Sequence, residues 1–223
     1  MCSFVAGCTT PGLPKDTDDN SADFLFVSTD GADSGAGGRM GAPGPENLSA
    51  PLQRNSSMAT VLLDQTIIAS QPPNRVRDFT SDPGNNSTFG TLSIRRRVTN
   101  NTGANVTRLR FRIVEITTFP PPAGTADIRA RTSADIMVMN VMDAATCTAS
   151  GAGAPPCTVT AQGLTLEQPA NQPNGGGFNS SLAAGTITLA TPLAAGASIN
   201  VQFLVGVQQT GNFRILVNVE ALP

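Results

Sequence analysis

The sequence contains no histidine, tryptophan or tyrosine, and it contains one lysine, Lys15. Without histidine the chain has no Ser-His-Asp or Cys-His nucleophile, no histidine-ligated zinc or iron and no imidazole proton shuttle. A Ser-Lys nucleophile is also disfavoured, because Lys15 lies among prolines and aspartates rather than in an apolar segment that would desolvate its amine. The sequence therefore predicts a protein that is not an enzyme and needs no organic cofactor.

Aromatic platforms and long apolar runs are missing as well. Without tryptophan and tyrosine, neither a sugar-cleaving groove nor a surface that stacks nucleic-acid bases is expected. No apolar run approaches the roughly 20 residues of a membrane-spanning helix. The formal net charge is −2, from 14 basic and 16 acidic residues, which gives no overall attraction to nucleic acid or to an anionic membrane. Any electrostatic binding is therefore expected to be local.

The two-residue alternation of β-strands recurs from Ser57 onward, and no segment keeps a helical period for three turns. Clusters of Gly, Pro, Asn and Asp separate the alternating segments. This pattern predicts an all-β fold, an antiparallel Ig-like β-sandwich with Greek-key-like connections. The predicted strands are 58–69, 92–99, 106–117, 127–133, 135–141, 158–166, 186–189, 199–209 and 213–222. The last two are predicted to form a hairpin that turns at Thr210-Gly211-Asn212.

Composition predicts three parts of the chain. Residues 1–29 contain one short apolar strand segment, which we interpret as the remnant of an upstream β module. Residues 30–56 have the glycine and proline content of a linker, and residues 57–223 form the predicted sandwich domain. We therefore expect the sequence to be the C-terminal part of a longer protein.

The segment 92–116 is the most informative, because two alternating arms flank an Asn100-Asn101-Thr102-Gly103 turn and predict a β-hairpin. An antiparallel register that places the apolar side chains of both arms on one face places five arginines on the other, with like charges directly opposite each other. That face therefore needs anions. They come either from acids of this chain, for example Glu115, Asp127 and Asp135, or from an anionic polymer outside the cell. The arginines are Arg95, Arg97, Arg108, Arg110 and Arg112.

Arg96 interrupts the apolar face of the same segment. A guanidinium on that side requires a buried carboxylate, a backbone carbonyl or a position at the rim of the sandwich. The sequence leaves these three alternatives open.

Four cysteines occur as two local pairs, Cys2 with Cys8 and Cys147 with Cys157. An even, locally paired set without histidine indicates disulfides and an oxidising compartment. A Cys147–Cys157 disulfide is predicted, because the residues between them have the composition of a loop between strands. The pairing of Cys2 and Cys8 stays open.

Asp16, Asp18, Asn20 and Asp23 place oxygen ligands near alternate positions, a spacing with which a loop can surround Ca²⁺. The pattern lacks the glycine and the distal glutamate of an EF-hand. A polar turn, in which the aspartates cap neighbouring amides, is the alternative.

Two segments carry resemblances. Residues 3–29, with the run Asp-Thr-Asp-x-Asn-x-Ala-Asp-Phe at 16–24, resemble the closing strand of a bacterial lamin tail domain, which implies a module of secreted or surface proteins. The closing portion, 189–222, is similar to the last strands of bacterial Ig-like adhesin and stalk repeats. That likeness implies a spacer or a binder.

These observations favour a non-enzymatic, extracellular or cell-surface structural or adhesion module of a secreted bacterial protein. Its expected partner is a cell-surface or matrix polymer, or other copies of the chain. An accessory domain of a secreted hydrolase is one alternative. Another is a self-assembling subunit in which residues 24–29 complete the sheet of a neighbour.

Overall fold

A computed structural model of the chain describes residues 18–19, 27–28, 39–42, 57–118, 124–168 and 175–222. This part is all-β, with one short α-helix, as predicted. The strands are β1 (Val27–Ser28), β2 (Arg39–Met40), β3 (Met58–Leu62), β4 (Arg75–Asp78), β5 (Thr91–Asn100), β6 (Arg108–Ile116), β7 (Asp127–Arg131), β8 (Ile136–Val141), β9 (Cys157–Gly163), β10 (Thr165–Gln168), β11 (Ser181–Ala183), β12 (Ser198–Gln209) and β13 (Ile215–Leu222), and the helix is α1 (Ala144–Ala149).

The larger sheet is built on β5 and β12, which pair in antiparallel register from Ser198 opposite Thr99 to Gly206 opposite Thr91. Both β3 and β4 pair with the free side of β5, while β7 and β9 pair with the free side of β12. Strand β8 pairs with β9 at the edge. The β9–β12 pairing is parallel, so this sheet is mixed and the prediction of a wholly antiparallel fold was wrong here.

The smaller sheet has the strand order β10-β11-β6-β13 and is antiparallel throughout. Strand β6 lies inside it and pairs with β13 from Ile116 opposite Ile215 to Arg108 opposite Leu222. The larger and smaller sheets together supply one continuous core.

The predicted hairpin at 92–116 is not formed, because β5 belongs to the larger sheet and β6 to the smaller one. The Asn100 side chain, which is fully buried, donates to the carbonyls of Ala104 and Leu193 at 2.8 Å each. These bonds hold the connection as it crosses between the sheets. The closing hairpin predicted from 199–209 and 213–222 is wrong for the same reason, since β12 and β13 lie in different sheets.

Crossing between the sheets brings the apolar faces of neighbouring strands toward each other. Phe111 of β6 and Phe203 of β12 meet edge to face, with ring centroids 5.1 Å apart. Aliphatic side chains fill the remaining core, as the scarcity of aromatic residues requires. The innermost members include Val98, Leu109, Ile113, Ile128, Leu182 and Val201.

Several strand boundaries differ from the prediction. The segment 58–69 ends as a strand at Leu62, and 158–166 divides into β9 and β10, which join different sheets. The segment 186–189 is turn and bend rather than strand. Strands β4 and β11 were not predicted, because both are short and neither has a long apolar alternation.

A second, small core lies beside the larger sheet, and we call it the disulfide lobe: Leu63, Val138, Val141, Cys147, Cys157, Val159 and Ala161. The predicted Cys147–Cys157 disulfide is confirmed, with the Cα atoms 5.9 Å apart. The segment between the cysteines begins inside α1 and is therefore only partly a loop. Cys2 and Cys8 lie outside the described residues.

The described residues of 39–42 contact the two-sheet core. Met40 is fully buried, its carbonyl accepts from the amide of Phe178 at 2.8 Å, and Ala42 donates to the Phe178 carbonyl at 2.9 Å. Of the segment 24–29, which we considered for strand addition, only Val27 and Ser28 are described, and they pair in parallel with Arg39 and Met40.

Candidate functional site

The five arginines proposed as one binding face lie on two sheets. Arg95 and Arg97 project from β5 on the side of the larger sheet away from the core, because the core-facing positions of β5 are those of Leu92 and Val98. The arginines of β6 project from the outer side of the smaller sheet. They are Arg108, Arg110 and Arg112, and they alternate with the buried Leu109, Phe111 and Ile113.

Arginines of the smaller sheet are neutralised within the chain. Glu220 of β13 is 1% exposed and lies between two of them, with Oε1 2.6 Å from Arg112 Nε and Oε2 2.7 Å from Arg110 Nη2. Glu167 of β10 lies 3.1 Å from Arg108 Nη2. The outer side of the smaller sheet is therefore an ion-pair network rather than a free cationic face.

The acids suggested as partners from the sequence serve elsewhere. Glu115 lies 3.4 Å from Arg214, and Asp127 lies 2.5 Å from Arg129. Asp135 accepts from the amide of Gly163. The true partners, Glu167 and Glu220, escaped sequence reasoning. The alternation of β13 places Asn218 and Glu220 on its polar face. This pattern identifies Glu220 as a partner of the arginines only when β13 is known to pair with β6.

Three arginines on the outer side of the larger sheet have no carboxylate partner within the described residues, whereas Arg129 on the same side pairs with Asp127. Arg95 donates to Gln202 Oε1 at 3.0 Å and to the Pro73 carbonyl at 3.2 Å. The buried Nε of Arg97 has no hydrogen-bond partner. Arg131 reaches only a hydroxyl, Ser87 Oγ at 2.6 Å. We call Arg95, Arg97 and Arg131 the outer arginine set; all are half-buried.

The register places the outer arginine set on one side of the sheet. Arg95 lies opposite Gln202 of β12, and Arg131 of β7 lies opposite Leu204, two residues further along the same strand. Residues directly opposite share a face, as do residues two apart in one strand. Sequence reasoning did not identify Arg131, because nothing in 127–133 indicates that β7 pairs with β12 on the side away from β5.

Arg96 projects toward the core side of the larger sheet, as predicted, since it lies opposite the fully buried Val201. Of the three alternatives, the backbone carbonyl is the one used, because Arg96 Nη1 donates to the Arg95 carbonyl at 2.8 Å. Burial lowers the pKa of Arg96, and the positive charge of Arg75 lowers it further. Arg75 and Arg96 are therefore neighbouring like charges.

The calcium hypothesis falls mostly outside the described residues, which include only Asp18 of the four proposed ligands. Asp18 is exposed, with a left-handed φ of 57°. In the part of the chain that the structure describes, no three acidic or cysteine side chains are grouped to hold a metal ion. The helix α1, with six residues, is too short to cross a membrane, and no other described helix is long and apolar enough.

Two buried aspartates fix the disulfide lobe. Asp143 caps α1, accepting from the amides of Ala145 and Thr146, and it also accepts from the amide of Gln65. Asp64, fully buried, accepts from the amide of Met142 at 2.7 Å. The segment after β3 is therefore tied to the segment after β8 at two points.

We expect the stability of the disulfide lobe to depend on the charge of Asp143. Burial by itself raises the pKa of this carboxyl, but hydrogen bonds from Gln65, Thr146 and Ala145 outweigh burial, and the pKa lies below its usual value. A depressed pKa stabilises the fold above the unfolded-state pKa, about 3.9, and the stabilisation disappears as the pH falls through the folded-state pKa. Asp143→Asn should therefore lower the free energy of unfolding by about 1–3 kcal/mol at pH 7.

The measurement is urea denaturation of both proteins between pH 7 and pH 2. The difference between them should begin to shrink below about pH 4, where the aspartate becomes protonated in the unfolded state, and should disappear as the pH falls through the lower folded-state pKa. Asp135→Asn is the control, since its carboxylate accepts one amide bond at an exposed position. A difference for Asp143→Asn that stays constant across this range would contradict the prediction.

Comparison of the chain with protein-family models, with curated proteins and with solved structures found no match.

Proposed function

We propose that this chain is a non-enzymatic structural or adhesion module of a secreted bacterial protein, acting outside the cell or on its surface. We further propose that its Ig-like sandwich contacts an anionic polymer through the outer arginine set, Arg95, Arg97 and Arg131. One observation carries this proposal. The arginines of β6 have acidic partners, and so does Arg129 of the larger sheet, while the three members of the outer arginine set have none among the described residues.

The uncompensated charge is the argument for an external anion. A half-buried guanidinium loses part of its hydration, and this cost is offset only by an anion or by a full set of hydrogen-bond acceptors. Among the described residues Arg97 has neither an anionic partner nor a full set of acceptors, and its Nε is buried without an acceptor there. A sulfate, phosphate or carboxylate group of a polymer would supply both, because arginine binds such groups with two parallel hydrogen bonds.

The disulfide supports the location. Cys147 and Cys157 are joined in the disulfide lobe, and Asn200 of β12, which lies opposite Arg97, donates to Ser150 Oγ beside this lobe at 2.9 Å. Disulfides form and persist mainly in oxidising compartments, and secreted proteins use them widely. A module that meets a polymer outside the cell would be exposed to such conditions.

The test is salt-dependent binding of the full chain to immobilised dextran sulfate. Replacing Arg95 and Arg97 together with glutamine should reduce the slope of log affinity against log salt by about one for each arginine lost, because each contact releases a counterion. The matched control is Arg108→Gln with Arg214→Gln, which removes the same net charge from arginines that already pair with Glu167 and Glu115.

The control variant should retain most of the salt-dependent binding, since its arginines are already neutralised. Melting temperatures of both double variants establish that each is folded. Equal losses in the two variants would show that net charge, and not the outer arginine set, governs retention. Absence of salt-sensitive binding by the unmodified chain would refute the proposal directly.

A further inference from the structure

A cleft opens at one end of the two-sheet core, where β4 forms an edge of the larger sheet. Its volume is about 520 Å³, which lies within the roughly 300–1,000 Å³ typical of sites for small organic ligands. Leu92, Ile128 and Val207 form an apolar floor, and Phe213, in the connection from β12 to β13, forms one wall. The cleft thus exposes part of the core to a molecule of suitable size.

Charge in the cleft has one sign. Arg75 and Arg77 of β4 line it, and no aspartate or glutamate is among its lining residues. These arginines are on the core side of the sheet, because Arg75 lies opposite Ile94 and Arg77 opposite Leu92. The cleft therefore combines an apolar floor with a cationic rim.

The two rim arginines differ in how their donors are used. The donors of Arg77 are used within the protein, since its Nη1 donates to the carbonyls of Asp78 at 2.5 Å and Thr91 at 2.7 Å. The side chain of Arg75 has no hydrogen bond or ion pair within the described residues, and its guanidinium carbon lies 6.0 Å from the centroid of the Phe213 ring. The donors of Arg75 are therefore available to a ligand.

A neighbouring cation adds to the case for an anion. Arg96 lies on the same side of the sheet as Arg75, and the charge of Arg75 contributes to the lowered pKa of Arg96. Two guanidinium groups that repel each other, and that pair with no carboxylate in the described part of the chain, are stabilised by an anion placed at the rim.

We propose that this cleft binds a small organic anion with an apolar body, namely a carboxylate whose head group is held by Arg75 and whose hydrocarbon chain lies on Leu92, Ile128 and Val207. The ring of Phe213 covers the chain from the other side. This site uses the core side of the larger sheet and is separate from the outer arginine set, so the two proposals stand or fall independently.

The test is isothermal titration calorimetry of the full chain with three probes: octanoate, which has both features, acetate, which has only the charge, and octan-1-ol, which has only the apolar chain. Octanoate should bind with a dissociation constant of about 1 mM or below, and the other two should bind at least about tenfold more weakly. Arg75→Gln should weaken octanoate binding about tenfold or more. Arg75→Lys, which keeps the charge, should retain more of the binding than Arg75→Gln.

Arg108→Gln is the control, because it removes an arginine from the outer side of the smaller sheet, away from the cleft and from the outer arginine set. Its octanoate affinity should stay within about twofold of the unmodified chain. Amide chemical-shift changes during an octanoate titration locate the site without any substitution, and they should concentrate at Arg75, Gly211 and Phe213. Lack of octanoate binding, equal binding of octan-1-ol, or shift changes confined to another surface would each overturn the proposal.

Discussion

Replacing Glu220 with glutamine should lower the free energy of unfolding by about 3–5 kcal/mol, the cost typical of breaking a buried ion pair from one side. The carboxylate is 1% exposed and accepts from both Arg110 and Arg112, whose side chains are mostly covered as well. Glutamine keeps the shape but removes the charge, so two guanidinium groups would share one neutral acceptor. Chemical denaturation monitored by far-ultraviolet circular dichroism gives the measurement.

Glu167→Gln is the control for this prediction. Glu167 pairs with Arg108, whose side chain is half exposed, and an ion pair of that kind contributes about 0–1 kcal/mol. The loss at Glu220 should exceed the loss at Glu167 several-fold and should persist at high salt, because buried charges are poorly screened. Similar losses at both positions would mean that Glu220 is only a surface ion pair.

Replacing Cys147 and Cys157 together with alanine is expected to lower the free energy of unfolding by about 3 kcal/mol. The sequence separation is 10 residues, and releasing a loop of that length returns about 2–3 kcal/mol of conformational entropy to the unfolded chain. Both cysteines are buried in the disulfide lobe, so loss of packing adds to the effect. Thermal and urea denaturation would measure it.

The loss should be localised first in the disulfide lobe. Hydrogen exchange should accelerate in α1, β8 and β9 and remain slow in β5 and β12, because the main core does not include the cysteines. Reducing the unmodified chain with dithiothreitol should reproduce the pattern. If reduction left exchange in α1 unchanged, the disulfide would not be what stabilises this lobe.

Strand content was predictable because it depends on local alternation. Residues 92–99 and 106–117 alternate clearly, and both contain long strands, β5 and β6. The Cys147–Cys157 disulfide was predictable for a related reason, since a short spacing restricts the possible partners. Strands β4 and β11 were missed because each is held by its neighbours, β5 and β6, rather than by its own pattern.

Sheet membership could not be read from the same alternation. The two strands on either side of the turn after Asn100 have the same periodicity whether the second pairs with the first or crosses to another sheet. The crossing to the other sheet is stabilised by residues that are distant in sequence, including Leu193, whose carbonyl accepts from the Asn100 side chain. Any prediction that depended on the partner strand, such as arginine facing arginine, therefore failed.

The candidate sites illustrate the same limit. Arg95 and Arg97 were identified from the sequence, but their isolation from carboxylates became evident only with the strand register. Arg131 and Arg75 belong to strands of five and four residues, in which an Arg-x-Arg alternation is too short to indicate a face. The cleft beside Arg75 depends on residues from β4, β5, β7 and β12 together, and no local segment encodes it.

The crossing of consecutive strands between sheets has a consequence for the order of folding. Thr91 pairs with Gly206, and Arg108 pairs with Leu222, so both sheets need strands from the end of this sequence before β5 and β6 have their long partners. Such remote pairings incur the full loop-closure entropy before they yield any contact, and folds of this kind form slowly. During synthesis, the apolar faces of β5 and β6 therefore lack their long partner strands until residues 198–222 have left the ribosome.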